Sequence, residues 1–392
     1  MAESLSTLVE RYDPSAFDAF RRVTRVRLSV SGEDSFDAMI VDGSATIKPA
    51  RGRPDAELIA ALPVWRRIAA DASTALDAYR SGRLAMRHNM HVGVGFLAAT
   101  SGATGPGRIR FRSIRTRGPR LSIVEAGSGP PVLALHGLGA TKGSFLPTIV
   151  GLADRFRVIA VDQPGFGDSD KPIGAAYDAP FFAGAAVGLL DAMELERVNL
   201  IGNSLGGRVA LEIGLRYPDR VERLGLLAPS LAWKRGRPLL PLLRLTRPEL
   251  GLVQIAPRRL IDSVVRGLIP DASSGWVAAG VDEFLRAYLT PSGRAAFYAA
   301  ARQIYLEEPH GERGFWTRLA GLQPDSLFVW GRHDRLVPLA FARHVADTLP
   351  DARHLQLDCG HVPQIELPEQ THAALAAFFK KSSRRAARPR PA

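Results

Sequence analysis

The chain has one cysteine, Cys359, among its 392 residues. A lone thiol excludes an intrachain disulfide and any zinc site assembled from several cysteines, and it fits a reducing compartment. Cys359 itself reads as a packing residue. No run of 18 or more apolar residues occurs, so no segment reads as a membrane-spanning helix. The first ten residues contain Glu3 and Glu10 and no apolar stretch of the kind a secretory signal needs, which makes the expected location cytoplasmic. Zinc-finger spacing, a basic zipper and RNA-binding aromatic pairs are also missing, so nucleic acid is not expected as a partner despite a net charge of +12. Half of that excess lies in the tail from Lys380 to Ala392, which holds six basic residues and no acid. Such a tail cannot pack, and weak peripheral contact with an anionic lipid surface is the partner it suggests.

A hydrophobic content of 46% is ample for packed cores in two domains. The small, polar stretch Thr100–Gly107 reads as a linker. It divides the chain into an N-terminal domain over residues 1–104, a connection at 105–110, a larger domain over 111–379 and the basic tail 380–392. Upstream, Arg25–Ser31 alternates polar and apolar, and Phe36–Lys48 reads as two strands joined around Asp42-Gly43. Helical patterns follow through Pro54–Ile59, Trp65–Asp71 and Leu76–Arg80, with Gly82 closing the last before another strand. This order, with Asp42-Gly43, the Pro54-Asp55 start and Ala78–Leu84, resembles the sterol-carrier-protein type of lipid-binding domain over residues 15–101. The resemblance implies a small α+β domain with an apolar tunnel for a lipid ligand, lined by Val41, Ile47, Leu58, Leu84, Met86, Val94 and Leu97. Each of those residues also suits an ordinary core. His88-Asn89 depart from the Gly-Asp more common in that family, and His88 and His91 have no acidic or cysteine cluster beside them for a metal.

Downstream, apolar runs at Pro131–Leu135, Arg157–Val161, Val198–Ile201, Leu224–Leu227, Ser326–Trp330 and His354–Leu357 alternate with helical stretches. That pattern predicts an α/β fold with a doubly wound, mostly parallel sheet, whose ligands bind at the carboxyl ends of the strands. One such end reads Gly202-Asn-Ser-Leu-Gly-Gly. A serine on a sharp strand-to-helix turn needs small residues two before and two after it, and Gly202 and Gly206 flank Ser204 at those positions. His136-Gly137-Leu138-Gly139 follows the first strand of the series and Asp162-Gln-Pro-Gly-Phe-Gly the second.

Together these motifs closely resemble the α/β-hydrolase family over residues 111–379. The resemblance implies a serine nucleophile, Ser204, and an oxyanion hole built from the backbone N–H groups of Leu138 and Leu205. His136 and Gly137 brace the first turn. A serine hydroxyl requires a base, and the base an orienting acid, in the chain order serine, acid, histidine. Of the late histidines only His361 falls in a strand-end turn, since His344, His354 and His372 lie within a helix, a strand and a helix. Asp334 follows a strong strand and matches the family's acid, whereas Asp162, Asp168 and Asp170 read as turn residues.

This constellation requires no metal or organic cofactor. An insertion at about 231–320 takes the place of a helical lid, with apolar segments at Leu239–Leu245, Leu250–Val253 and Phe284–Leu289. The lid and the lipid-binding resemblance favour a small hydrophobic ester as substrate, cleaved through an acyl-enzyme. The same motifs resemble carbon–carbon bond hydrolases acting on ring-cleavage products, which need a basic or polar group for a dienolate; Arg235, Arg244, Arg286 and Arg302 are the candidates. An alternative of another class is a lipid carrier with a non-catalytic hydrolase fold.

Overall fold

Short segments that alternate between buried and half-buried positions build the N-terminal sheet. The computed structural model describes residues 2–17, 23–71, 74–105, 107–233, 252–253 and 275–380. Helix α1 (Ala2–Glu10) precedes strands β1 (Val23–Val30), β2 (Ser35–Val41), β3 (Ser44–Pro49), β4 (Ala56–Ala60) and β5 (Leu84–Arg87), arranged in the order β3-β2-β1-β4-β5. Asp42 (φ 47°) and Gly43 (φ 77°) make the tight β2–β3 turn, a left-handed pair that suits a two-residue hairpin. Helices α2 (Leu62–Ala70) and α3 (Thr74–Arg80) link β4 to β5, and α4 (Met90–Ala99) follows.

The expected helix at Pro54–Ile59 is instead strand β4. Ala56, Leu58 and Ala60 are buried while Glu57 and Ile59 are half-buried, a period of two, and the segment pairs in parallel with β1. Helix propensity in Ala, Glu and Leu is a weak preference that tertiary pairing overrides. Most of the residues proposed to line a lipid tunnel pack as core, Val41 being half-buried. Leu58, Leu84, Met86, Val94 and Leu97 are buried in one hydrophobic cluster, while Ile47 is partly buried against it. Gly93 lies against the Met86 side chain and Gly95 against the Phe17 ring, so helix α4 sits directly on its neighbours.

The larger sheet begins at Arg110, one residue before the expected boundary, with an antiparallel hairpin that the apolar-run pattern missed: β6 (Arg110–Ile114) and β7 (Leu121–Ala126). Then come β8 (Pro131–Leu135), β9 (Arg157–Val161), β10 (Val198–Asn203), β11 (Val221–Leu227), β12 (Asp325–Gly331) and β13 (Arg353–Leu357). The order is β13-β12-β11-β10-β8-β9-β7-β6, parallel from β13 through β9. Along the chain the helices are α5 (Leu146–Leu152), α6 (Ala179–Ala192), α7 (Leu205–Arg216), α8 (Gly275–Tyr288), α9 (Pro291–Leu306), α10 (Phe315–Leu319), α11 (Ala340–Thr348), α12 (Pro363–Glu366) and α13 (Pro368–Lys380). Helices α5 and α13 pack together on one face and α6 and α7 on the other.

The two sheets share a core. One hydrophobic cluster runs from Leu5, Val26 and Phe96 to Val124, Leu146, Ile149 and Phe379. Its seam is the contact of Phe17 with Phe111, whose rings lie 5.8 Å apart, backed by a 2.8 Å hydrogen bond from Phe111 N to Ala16 O. Among the described residues no helix is long and apolar enough to cross a membrane.

Candidate active site

Strand β10 delivers Ser204 at φ 53° and ψ −116°, a backbone conformation that ordinary side chains avoid and that turns the chain sharply into α7. The neighbouring glycines are required sterically. A side chain at Gly202 would strike the Gly206 backbone, and one at Gly206 would overlap the Leu135 carbonyl oxygen. Gly137 is less tightly confined, with a Cβ there 3.3 Å from that of Ser204. The turn after β8 and the Ser204 turn therefore press against each other.

His136 holds the first of those turns. It is fully buried, its Nε2 accepts from Gln163 N at 3.0 Å, and Gln163 Nε2 donates to His136 O at 2.7 Å. Nε2 being an acceptor, the ring proton belongs on Nδ1, which donates to Gly137 O at 2.8 Å. Burial lowers the imidazole pKa and favours this neutral form. In a trans peptide the carbonyl and the following N–H point opposite ways, so the grip on Gly137 O sets the direction of the Leu138 N–H. The N–H groups of Leu138 and Leu205 have no acceptor among the described residues.

His361 lies in the turn after β13, with Nδ1 2.7 Å from Asp334 Oδ2. The other Asp334 oxygen accepts from Leu336 N at 2.8 Å and Val337 N at 2.9 Å. These bonds satisfy a carboxylate whose side chain is entirely out of solvent, while the His361 side chain keeps 16% exposure. Ser204 is likewise partly accessible. His361 Nε2 has no partner among the described residues.

Two residues that sequence reasoning missed hold this turn in place. Asn203 Nδ2 donates to both Leu227 O and His361 O at 3.0 Å, tying the residue before Ser204 to the histidine loop. Glu366 clamps the backbone on either side of His361, accepting from Gly360 N at 2.6 Å and Val362 N at 2.9 Å. A glutamate in the first helical turn after a strand-end histidine was the available signal for Glu366. Asn203 left none beyond its place beside Ser204.

The remaining histidines have packing partners. His372 Nε2 lies 3.0 Å from Thr148 Oγ1, His354 Nδ1 accepts from Trp330 Nε1 at 3.0 Å, and His344 packs edge-on to Trp316. Cys359 is buried, which pushes its thiol up to about 12. Asp162 and Asp168 do more than shape a turn. The buried Lys142 ammonium lies 2.5 Å from Asp162 and 3.3 Å from Asp168, and Asp168 reaches on to Arg286 of α8 at 3.0 Å. Asp170 accepts from Arg120 N, a turn contact.

Part of the segment expected to form a lid lies among the described residues. Phe284 of α8 and Phe297 of α9 lie against Gly139 (φ 74°) and pack edge to face with centroids 5.6 Å apart, forming an aromatic wall over the turn that carries Leu138. Of the four candidate arginines, Arg286 is committed to Asp168 and Glu283, and Arg302 lies on α9. Arg235, Arg244 and Leu239–Leu245 lie outside the described residues, as does the basic tail after Lys380.

Known proteins provide a frame for this geometry. Residues 130–368 match the alpha/beta hydrolase fold family. The chain is 31% identical over 263 residues to the 2-hydroxymuconate semialdehyde hydrolase of Pseudomonas sp. strain CF600, covering 65% of this chain and 88% of that protein. It is 28% identical to the 2-hydroxy-6-oxo-2,4-heptadienoate hydrolase of Pseudomonas putida, covering 65% and 91%. Among solved structures, a meta-cleavage product hydrolase from Pseudomonas fluorescens superposes with a TM-score of 0.56 at 25% identity, covering 68% of this chain and 97% of that one.

Proposed function

The chain belongs to the alpha/beta hydrolase fold family, and on that premise we propose that it hydrolyses a carbon–carbon bond beside an aldehyde or ketone carbonyl in a ring-cleavage product, using Ser204, His361 and Asp334. This replaces the hydrophobic ester as the leading reading. The observation that carries it is the likeness to the Pseudomonas semialdehyde hydrolase along nearly that protein's whole length.

The chemistry suits the constellation. Ser204 Oγ adds to the carbonyl carbon as its proton passes to His361 Nε2, and the Leu138 and Leu205 N–H groups receive the charge on oxygen. From the 2-keto tautomer of the substrate, in which the carbon beside the bond is saturated, the carbon–carbon bond then breaks with its electron pair delocalised into the 2-keto group as a dienolate, which takes up the proton from His361. Water, deprotonated by His361, hydrolyses the acyl-serine and releases a carboxylic acid. A carbon leaving group is acceptable only where it is delocalised, so simple esters serve as a second reading through the same steps. The lipid-carrier reading is weaker, since most of the residues offered for a tunnel belong to a buried hydrophobic cluster.

Turnover of 2-hydroxymuconate semialdehyde and of p-nitrophenyl esters of rising chain length tests the choice. The proposal expects kcat/KM for the ring-cleavage product to exceed that of every ester by at least about a hundredfold, or ~2.7 kcal/mol of transition-state discrimination. Ester turnover at or above that level would reverse the order of the two readings.

A further inference from the structure

A second concave site lies on the side of α8 turned away from Gly139. Phe284 faces the Leu138 turn, and Arg286, two positions on and roughly 200° around the helix axis, faces a cavity of about 550 Å³. The turn from Gly167 to Lys171, Arg120 before β7, Ser113 of β6 and Thr290 complete its walls. That size suits a small-molecule ligand.

The walls offer more donors than the protein uses. Lys171 is half-buried, and its ammonium donates to two carbonyls of its own turn, Gly167 O at 2.7 Å and Ser169 O at 3.0 Å. No carboxylate lies within ion-pair distance of it among the described residues, and burial lowers its pKa, the sign of a charge poorly compensated by the protein. Arg120 donates to Ser113 Oγ at 2.9 Å, which leaves the Ser113 hydroxyl proton free to donate in turn. The acids nearby are already engaged: Asp168 bridges Arg286 and Lys142, Glu283 holds Arg286 at 2.5 Å, and Asp170 pairs with Arg120 at 3.2 Å. Lys171 is the cation left over.

We propose that this cavity is a binding site for a small soluble oxyanion, a phosphate or a phosphorylated small molecule, held by the Lys171 ammonium, the Arg120 guanidinium and the Ser113 hydroxyl. The site is separate from Ser204, and α8 forms a wall of both. The proposal is independent of which bond Ser204 cleaves.

Calorimetric titration of the full chain with inorganic phosphate, against sodium chloride at matched ionic strength, tests it. Wild type and Ser204→Ala should bind one phosphate with equal affinity, and Lys171→Gln should weaken binding by at least about tenfold, as loss of a charge-assisted hydrogen bond requires. Ser113→Ala, a smaller change that leaves the charges in place, should weaken it less and provides the test if Lys171→Gln does not fold. Absence of saturable binding at millimolar phosphate overturns the proposal. So does binding unchanged in both Lys171→Gln and Ser113→Ala, or binding abolished by Ser204→Ala, which would place the anion at the nucleophile.

Discussion

The five-stranded unit and the eight-stranded unit bury the same kinds of residue and differ in what their strand ends carry. In the larger unit the turns after β8, β10, β12 and β13 present Leu138, Ser204, Asp334 and His361, held by hydrogen bonds that include Ser204 N to Leu227 O at 3.0 Å. In the smaller unit the strand ends close into hairpins and helices, and the apolar side chains join a buried hydrophobic cluster. The smaller unit touches the machinery indirectly. Arg87 at the end of β5 pairs with Asp282 of α8 at 2.7 Å, and the His88 N–H donates to the same carboxylate at 3.3 Å. On the proposed reading one unit carries the chemistry and the other pairs with a helix packed against the Leu138 turn, which is a different relation from two modules on a string.

That contrast can be broken at four points. Replacing Ser204 by Ala should cut turnover by at least about 10⁴-fold with the fold intact, because the nucleophile has no substitute; retained turnover would move the chemistry elsewhere. Phe17→Ala comes next. It removes a fully buried ring at the seam and should cost about 3–5 kcal/mol, read as a single denaturant transition for the whole chain. Two separated transitions would show that the units fold independently.

The third point is His372, which lies under the larger sheet beside Thr148. Burial depresses its pKa to about 4, so from pH 6.5 down to about 4 the unfolded chain binds a proton that the native chain does not. Stability contributed by the neutral ring is complete above pH 6.5 and is lost progressively through that window, by at most about 3 kcal/mol. Chemical denaturation of wild type and His372→Gln across the window should show the variant losing less. Smallest is Arg87→Ala. Its side chain is 45% exposed, so the ion pair should contribute less than about 1 kcal/mol to stability, and a brace for α8 would show as a several-fold rise in KM with kcat nearly unchanged.

Much of the larger unit was legible in the sequence because its elements are long, apolar and periodic, and because the turn at Ser204 demands glycine at 202 and 206 for steric reasons visible in the residue string. Strand β4 was illegible locally, since only the pairing with β1 makes Ala56–Ala60 extended. The β6–β7 hairpin carries Arg110, Arg112 and Glu125 in a charged cross-strand cluster, so no apolar run announced it. Asn203 and Gln163 act through backbone atoms of distant segments, a relation that spacing along the chain does not encode, whereas Glu366 binds backbone only four and six residues away. The shared core was hidden by the glycine-rich stretch before Arg110, which suggests a flexible linker but lies beside a seam made by Phe17 and Phe111.

The central claim is that Ser204, His361 and Asp334 act as one nucleophilic centre. Labelling the full chain with a fluorophosphonate and mapping the adduct by peptide mass spectrometry tests it most directly. The account predicts one adduct, on Ser204, formed at least about 10³-fold more slowly in Asp334→Asn because the histidine is no longer held in the productive tautomer. An adduct on another serine, no adduct on the folded protein, or an Asp334→Asn rate equal to wild type would contradict it.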